Sequence, residues 1–302
     1  LMMMTRLFKI FSISLVLLAV AFGGGSESTL GGKVAASQPN IIFILTDDGK
    51  TTTEEENQKK KEISVKVNEP EVETKKFDPK NPPEDFKDLP KGMKAFTKVE
   101  PSSNFDATVS SSTARRKEGC NVTVTIDTIN VTLNTKITKY LPENASEKLK
   151  VHEDGHVDIA IAVVKSLAKW IFKKHLDPLI KEFEFHVKDK ACDEAEKYAK
   201  KEVNKAVEKA HEQASQELYK LIKNQFESYD KKTNHGKTTT EKQNQEAAQE
   251  IIKEIQLDTD KDEMPDLVDD DDDNDGIPDD KDKCPKQAED KDGDKDDDGC
   301  PE

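Results

Sequence analysis

His152-Glu153-Asp154-Gly155-His156 is the stretch that most restricts how this chain can fold. Leu149, His152, His156, Ile159, Ala160, Val163, Leu167, Trp170 and Ile171 recur around it at steps of three and four, which predicts an amphipathic helix. Residues four apart on a helix share a face, with Cβ atoms roughly 5–6 Å apart. Both imidazoles therefore lie on the stripe that must be buried. Two core-facing His with a carboxylate between them form the H-E-x-x-H pattern of a zinc site. There the rings supply two ligands at about 2.0–2.1 Å, and the Glu reaches a metal-bound water as general base. His152 and His156 are the expected ligands and Glu153 the expected catalytic base. His211-Glu212-Gln213-Ala214-Ser215 opens in the same way but ends in Ser within a Lys/Glu-rich helix, so no metal role is assigned to it.

A chain of 302 residues would permit about two domains. With 36% charged and 33% hydrophobic residues, however, it supports one modest packed domain. Residues 258–302 hold 19 Asp and 3 Glu against 6 Lys, so essentially all of the formal charge of −15 belongs to this tail. No basic patch with interleaved aromatics is present, which argues against nucleic-acid binding.

Arg6 and Lys9 precede an apolar run from Ile10 to Phe22 that carries an A-x-A site at Ala19-Val20-Ala21, the layout of a secretory signal. The run is too short to span a bilayer comfortably. The expectation is a bacterial protein whose signal, residues 1–22, is removed. It is then soluble, without a stable membrane span, and secreted, periplasmic or in the cell envelope. No Cys follows the apolar run, so a lipoprotein-type anchor is not indicated. Export permits disulfides. Four Cys allow three connectivities, and pairing Cys120 with Cys192 and Cys284 with Cys300 keeps each bridge within one composition block.

Residues 23–61 read as a linker. Within it Pro39 to Asp48 resembles the first strand of sulfatases, but the Cys/Ser-x-Pro-x-Arg segment of those enzymes is absent, and the stretch is read as a chance strand or a spliced remnant. Ile63, Val65 and Val67 alternate with polar residues as in a strand, and Pro70 to Pro101 reads as irregular. Val122, Val124 and Ile126, then Ile129, Val131 and Leu133, alternate on either side of Asp127-Thr128, which predicts an antiparallel pair with one wet face. Asn121, Asn130 and Asn144 head N-x-S/T triplets. Pro142 ends the strand, and Asn144-x-x-Glu147 reads as a capping-box variant opening the zinc helix. A second helix is expected from near Asp189 to Phe226, with a small-residue seam from Ala195 through Ala199, Val203 and Ala206 to Ile222. It breaks at Tyr229 to Gly236.

A catalytic zinc needs three protein ligands and one open position. His235 is the candidate third ligand, because it lies just past a helix end beside a Gly that lets the backbone approach the metal. The H-E-x-G-H of His152 to His156 and the Y-D-x-x-T-x-H-G of Tyr229 to Gly236, supported by Cys120, Leu141-Pro142 and Cys192, resemble a bacterial domain family of exported zinc-dependent peptidases. The resemblance covers about residues 62–237. It implies His152, His156 and His235 as zinc ligands, Glu153 as catalyst, and Tyr229, Asp230 and Thr233 lining or buttressing the site. Tyr229 would donate to the oxyanion, and Asp230 would be an acceptor that orients a ligand His.

In the tail, Asp271-x-Asp273-x-Asp275-Gly276-x-x-Asp279-x-x-Asp282 resembles the thrombospondin type 3 repeat. An earlier copy uses Asp258, Asp260, Asp262, Asp266, Asp269 and Asp271, with Glu263 where Gly is usual, and a partial third copy runs from Asp290 to Asp296. Asp at every second position can aim several carboxylates at one hard cation, and Gly permits the turn that wraps them round it. Ca²⁺ is the expected ion, and without it such a charge density should keep the segment open.

The expected architecture is an α+β, zincin-like fold: a small antiparallel sheet on a zinc-binding helix and a long second helix over 62–237. A helical linker over 238–257 and an irregular calcium-binding tail over 258–302 complete it. The expected function is zinc-dependent hydrolysis of a peptide or protein substrate outside the cytoplasm, with possible cell-envelope contact through the tail. The alternative is a non-catalytic envelope or adhesive calcium-binding protein with a structural or inactive metal site.

Overall fold

The computed structural model describes residues 61–84, 94–290 and 297–301. The expected signal segment, nearly all of the first linker with its sulfatase-like stretch, and most of the third acidic copy lie outside the described residues. The described chain is mixed α/β, with a five-stranded sheet and three α-helices.

The sheet is built on one long strand, β4 (Gly119–Pro142). β3 (Phe96–Arg116) pairs antiparallel along one of its edges. The other edge is tiled end to end by three shorter strands. β5 (Glu182–Lys188) pairs antiparallel with residues 119–125, while β1 (Glu62–Val67) and β2 (Glu71–Phe77) pair parallel with residues 128–133 and 136–142. The sheet is therefore mixed, not antiparallel as expected. The stretch expected to be irregular contains β2 and the start of β3.

The hairpin expected at Asp127-Thr128 is also corrected. Both apolar runs belong to β4, and the chain reverses instead at Lys117-Glu118, between β3 and β4. The register jumps from Thr108↔Thr128 to Val109↔Ile126, so Asp127 is the extra residue of a β-bulge. A strand presents alternate residues to one face. The bulge resets that phase, so Cys120, Val122, Val124 and Ile126 face the same core as Ile129, Val131 and Leu133.

α1 (Glu147–Leu176) opens on Ser146, whose hydroxyl accepts from the Leu149 amide, and ends before Asp177-Pro178. It is buried on most sides by the sheet, α2 (Cys192–Thr233) and α3 (Glu241–Ile255), which explains why Val157, Ala162, Val164, Ala168 and Phe172 are buried beside the expected stripe. α2 carries the seam Ala195, Ala199, Val203, Val207, Ala210, Ala214, Leu218 and Ile222, whose small side chains allow close packing. It runs past Phe226 to Thr233 and stops at Asn234, which takes a left-handed conformation (φ 46°). α3 falls in the expected linker but packs Ala248, Ile251 and Ile255 into the core. Cys120 on β4 bonds to Cys192 at the first turn of α2, and Cys284 bonds to Cys300. The tail is docked on this body: Val268 is buried in the core, Met264 packs against it, and Lys174 of α1 bonds to Asp270 at 2.9 Å. No described helix is long and apolar enough to cross a membrane.

Candidate metal centre

One helical turn of α1 places His152 and His156 side by side, both buried, with ring centroids 4.9 Å apart. The last turns of α2 lie against them. Phe226, Tyr229, Asp230 and Thr233 occupy positions i, i+3, i+4 and i+7 and so share one helix face. All four meet the His pair: Phe226 packs on His156 at 4.5 Å, Tyr229 stacks on His152 at 5.0 Å, and Thr233 Oγ1 is 3.5 Å from His152 Nδ1. Asp230 Oδ1 lies 3.2 Å from His152 Nε2 and 3.3 Å from His156 Nε2.

Donors about 2.0–2.1 Å from a tetrahedral centre sit roughly 3.3–3.4 Å apart. The two Nε2 to Oδ1 separations match that spacing, and two imidazoles with one carboxylate are a donor set that catalytic zinc uses. Among the described residues His152, His156 and Asp230 form the group of donors at this site that lie within 4.8 Å of one another. Thr233 donates its hydroxyl proton to the Tyr229 carbonyl at 2.8 Å, which leaves its oxygen able to accept from a His152 Nδ1–H; in that tautomer the Nε2 lone pair would be available to a metal. Burial holds His156 below its ordinary pKa, so its ring stays neutral, the form that ligates. Burial pushes against ionisation of Asp230 as well, but the facing rings of His152 and His156 outweigh it and hold the carboxyl well below the usual range.

His235 stands at the rim. Its side chain is 60% exposed, its Nδ1 is 3.4 Å from the other carboxylate oxygen of Asp230, and it belongs to the left-handed turn of Asn234, His235 and Gly236. The structure thus brings His152, His156 and Asp230 together and sets His235 behind the carboxylate. Sequence reasoning placed Asp230 at the site as an acceptor orienting a His, but not among the converging donors; its helical spacing to Phe226, Tyr229 and Thr233 was the available signal. Gly236 packs against the ring of His152, where an added Cβ would come within 3.0 Å.

Tyr229, expected to face an oxyanion, is a buried wall of the site. Its hydroxyl donates to the Asn244 carbonyl of α3 at 3.3 Å and packs against Gly155, and burial raises its pKa. This contact explains why the fourth letter of the motif is Gly. A Cβ on residue 155 would sit 2.2 Å from Tyr229 Oη and 2.5 Å from Cζ, both fixed in the core. Gly155→Ala should destabilise the fold by about 2–3 kcal/mol, measured by thermal unfolding. Tyr229→Phe in the same chain should recover part of that loss, and a wild-type melting temperature for the single variant would contradict the packing described.

Glu153 is buried beside the cluster, and burial pushes its carboxyl up to about 8, opposed by the hydrogen bond from Thr97 and reinforced by the Asp230 charge. A carboxyl so strongly shifted beside a cluster of metal-ligand residue types marks Glu153 as a candidate functional group.

The acidic tail forms two loops in one conformation, thirteen residues apart. In the first, the amides of Asp262, Glu263 and Met264 donate to Asp260, Asp258 and Asp262; in the second, those of Asp275, Gly276 and Ile277 donate to Asp273, Asp271 and Asp275. Glu263 (φ 78°) and Gly276 (φ 94°) occupy equivalent left-handed positions. Asp258, Asp260 and Asp262 form one group of converging carboxylates, and Asp271, Asp273 and Asp275 another. The pKa of Asp269 is raised by burial and by Asp262 and Asp260, and that of Asp273 by burial and by Asp275 and Asp282, so Asp269 and Asp282 lie within electrostatic reach of the two groups. Asp266 and Asp279 are placed differently from the expected ligands. They accept from the amides of Thr259 and Asp272 across the loops, and Asp266 also pairs with Lys286.

Comparisons of this chain with family models, curated proteins and solved structures find no match.

Proposed function

We propose that the protein is an exported zinc-dependent peptidase whose metal is held by His152, His156 and Asp230, with Glu153 as general base. The observation that carries this reading is the spacing of Asp230 Oδ1 from the two Nε2 atoms, 3.2 and 3.3 Å, beside a buried carboxylate in an H-E-x-G-H helix. When bound, the metal would supply an acidified water and polarise the substrate carbonyl. The chain's own groups do the rest. Thr233 fixes the His152 tautomer, Tyr229 and Phe226 exclude water behind the rings, His235 steadies Asp230 from the solvent side, and Glu153 accepts a proton and returns it to the leaving amine. Two disulfides support an oxidising, extracytoplasmic location.

A second property has its own support. The two equivalent loops each converge three carboxylates, which suits Ca²⁺ with its 6–8 oxygen ligands. Asp271 Oδ1, Asp273 Oδ2 and Asp282 Oδ2 are buried with no hydrogen-bond partner among the described residues, as oxygens that serve a cation would be.

Glu153→Gln tests the catalytic reading. With zinc-loaded protein and fluorescein-labelled casein, turnover should fall at least about 100-fold while metal content stays unchanged. A wild-type protein that binds zinc but leaves casein and a mixed peptide library uncut would favour a non-catalytic envelope or adhesive protein.

A further inference from the structure

We propose that Thr97 is a positioning residue for Glu153, fixing the carboxylate of the general base from the sheet side of the site. This rests on the peptidase reading above. Thr97 lies on β3 directly across from Lys139 of β4. The pair grips two successive residues of α1: Lys139 bonds to Asp154, and Thr97 Oγ1 donates to Glu153 Oε2 at 2.8 Å. The same hydroxyl lies 3.3 Å from the Glu153 carbonyl, so it touches both the head and the root of the side chain.

The chemistry requires such a contact. Glu153 is 3% exposed, and a long flexible side chain in that setting has no water shell to hold it. Thr97 is a neutral donor. It fixes one carboxylate oxygen and leaves the other for the proton it must take. A cation in that place would weaken the base, and an apolar residue would leave the carboxylate free to turn. Sequence spacing carries no sign of this link, because 56 residues separate the partners.

Thr97→Val keeps the shape and removes the donor. In zinc-loaded full-length protein, kcat on fluorescein-casein should fall at least about 10-fold, since small misplacements of a catalytic group have effects of that order. KM and zinc content should not change, and Thr97→Ser should restore kcat. Thr97→Ala serves if the valine variant does not fold. A loss of zinc, a rise in KM at constant kcat, or failure of Ser to rescue would overturn the positioning role. A second measurement separates this from the peptidase reading. In metal-free protein, the melting-temperature shifts of Thr97→Val and Glu153→Leu should be non-additive in the double variant, because each removes the same bond, one its donor and the other its acceptor. Additive shifts would overturn the Thr97 to Glu153 link whatever the turnover. Absence of Glu153-dependent turnover in the wild type would overturn the peptidase reading and the catalytic role of Thr97 with it.

Discussion

Asp230→Ala should lower zinc affinity by more than about 100-fold, whereas His235→Ala should lower it by about 10–100-fold, the range typical of partners that orient a ligand without binding the metal. The difference follows from the geometry. Asp230 Oδ1 is the atom that both Nε2 nitrogens face, and His235 reaches only Oδ2, from an exposed turn. Removing the carboxylate takes away one of three donors and leaves two buried imidazoles without an anionic partner. Removing the imidazole of His235 loosens the carboxylate but leaves all three donors. Titration calorimetry with Zn²⁺ and metal analysis of the purified variants measure both effects, with circular dichroism as the check on folding. The reverse order, with His235→Ala stripped of zinc and Asp230→Ala fully loaded, would restore His235 as third ligand and displace Asp230. Indifference to both changes would leave His152, Asp230 and His156 as a hydrogen-bonded core cluster.

Ca²⁺ should raise the melting temperature of the whole protein, not only order its tail. Each site filled to about 100 times its dissociation constant contributes about 2.7 kcal/mol, so two sites give roughly 5 kcal/mol, or about 10–20 °C in a domain of this size. The body shares this gain because the first loop leaves directly from α3 and is anchored by Val268 and Met264 in the core and by Lys174 on Asp270. Burial and neighbouring carboxylates raise the pKa of Asp269 and Asp273, so holding these groups ionised costs stability until a cation compensates them. Asp273→Asn should remove about half of the shift. Scanning calorimetry with Ca²⁺ and with a chelator decides the point: a single transition that moves is expected, and an unmoved melting temperature at millimolar Ca²⁺ would exclude the calcium assignment.

The parts of this protein that are local in sequence were legible. His152 and His156 are one helical turn apart, so their common face follows from the helix repeat alone, and the structure buries both on α1. The doublets within the tail place Asp258, Asp260 and Asp262 together for a similar reason, and composition blocks were enough to pair the cysteines. Reversals were harder. Asp127-Thr128 has turn-like residues between two alternating runs, yet one inserted residue in a long strand produces the same pattern as a hairpin, and only the partner strand's register distinguishes them. The end of α2 was misjudged for a related reason. Tyr229 and Asp230 look like the start of a break, but the helix gains enough from packing on His152 and His156 to continue until Asn234 supplies a left-handed cap.

What the chain determines by itself is therefore the set of groups that share a helix turn or an alternating loop, because backbone geometry fixes distances over a few residues. The tertiary structure alone decides which distant groups complete the sites. Asp230 reaches the His pair from a different helix, Thr97 reaches Glu153 from the sheet, and the acidic loops rest on the body through Val268. These contacts depend on how α1 is enclosed by β3, α2 and α3, a packing solution that no local spacing specifies.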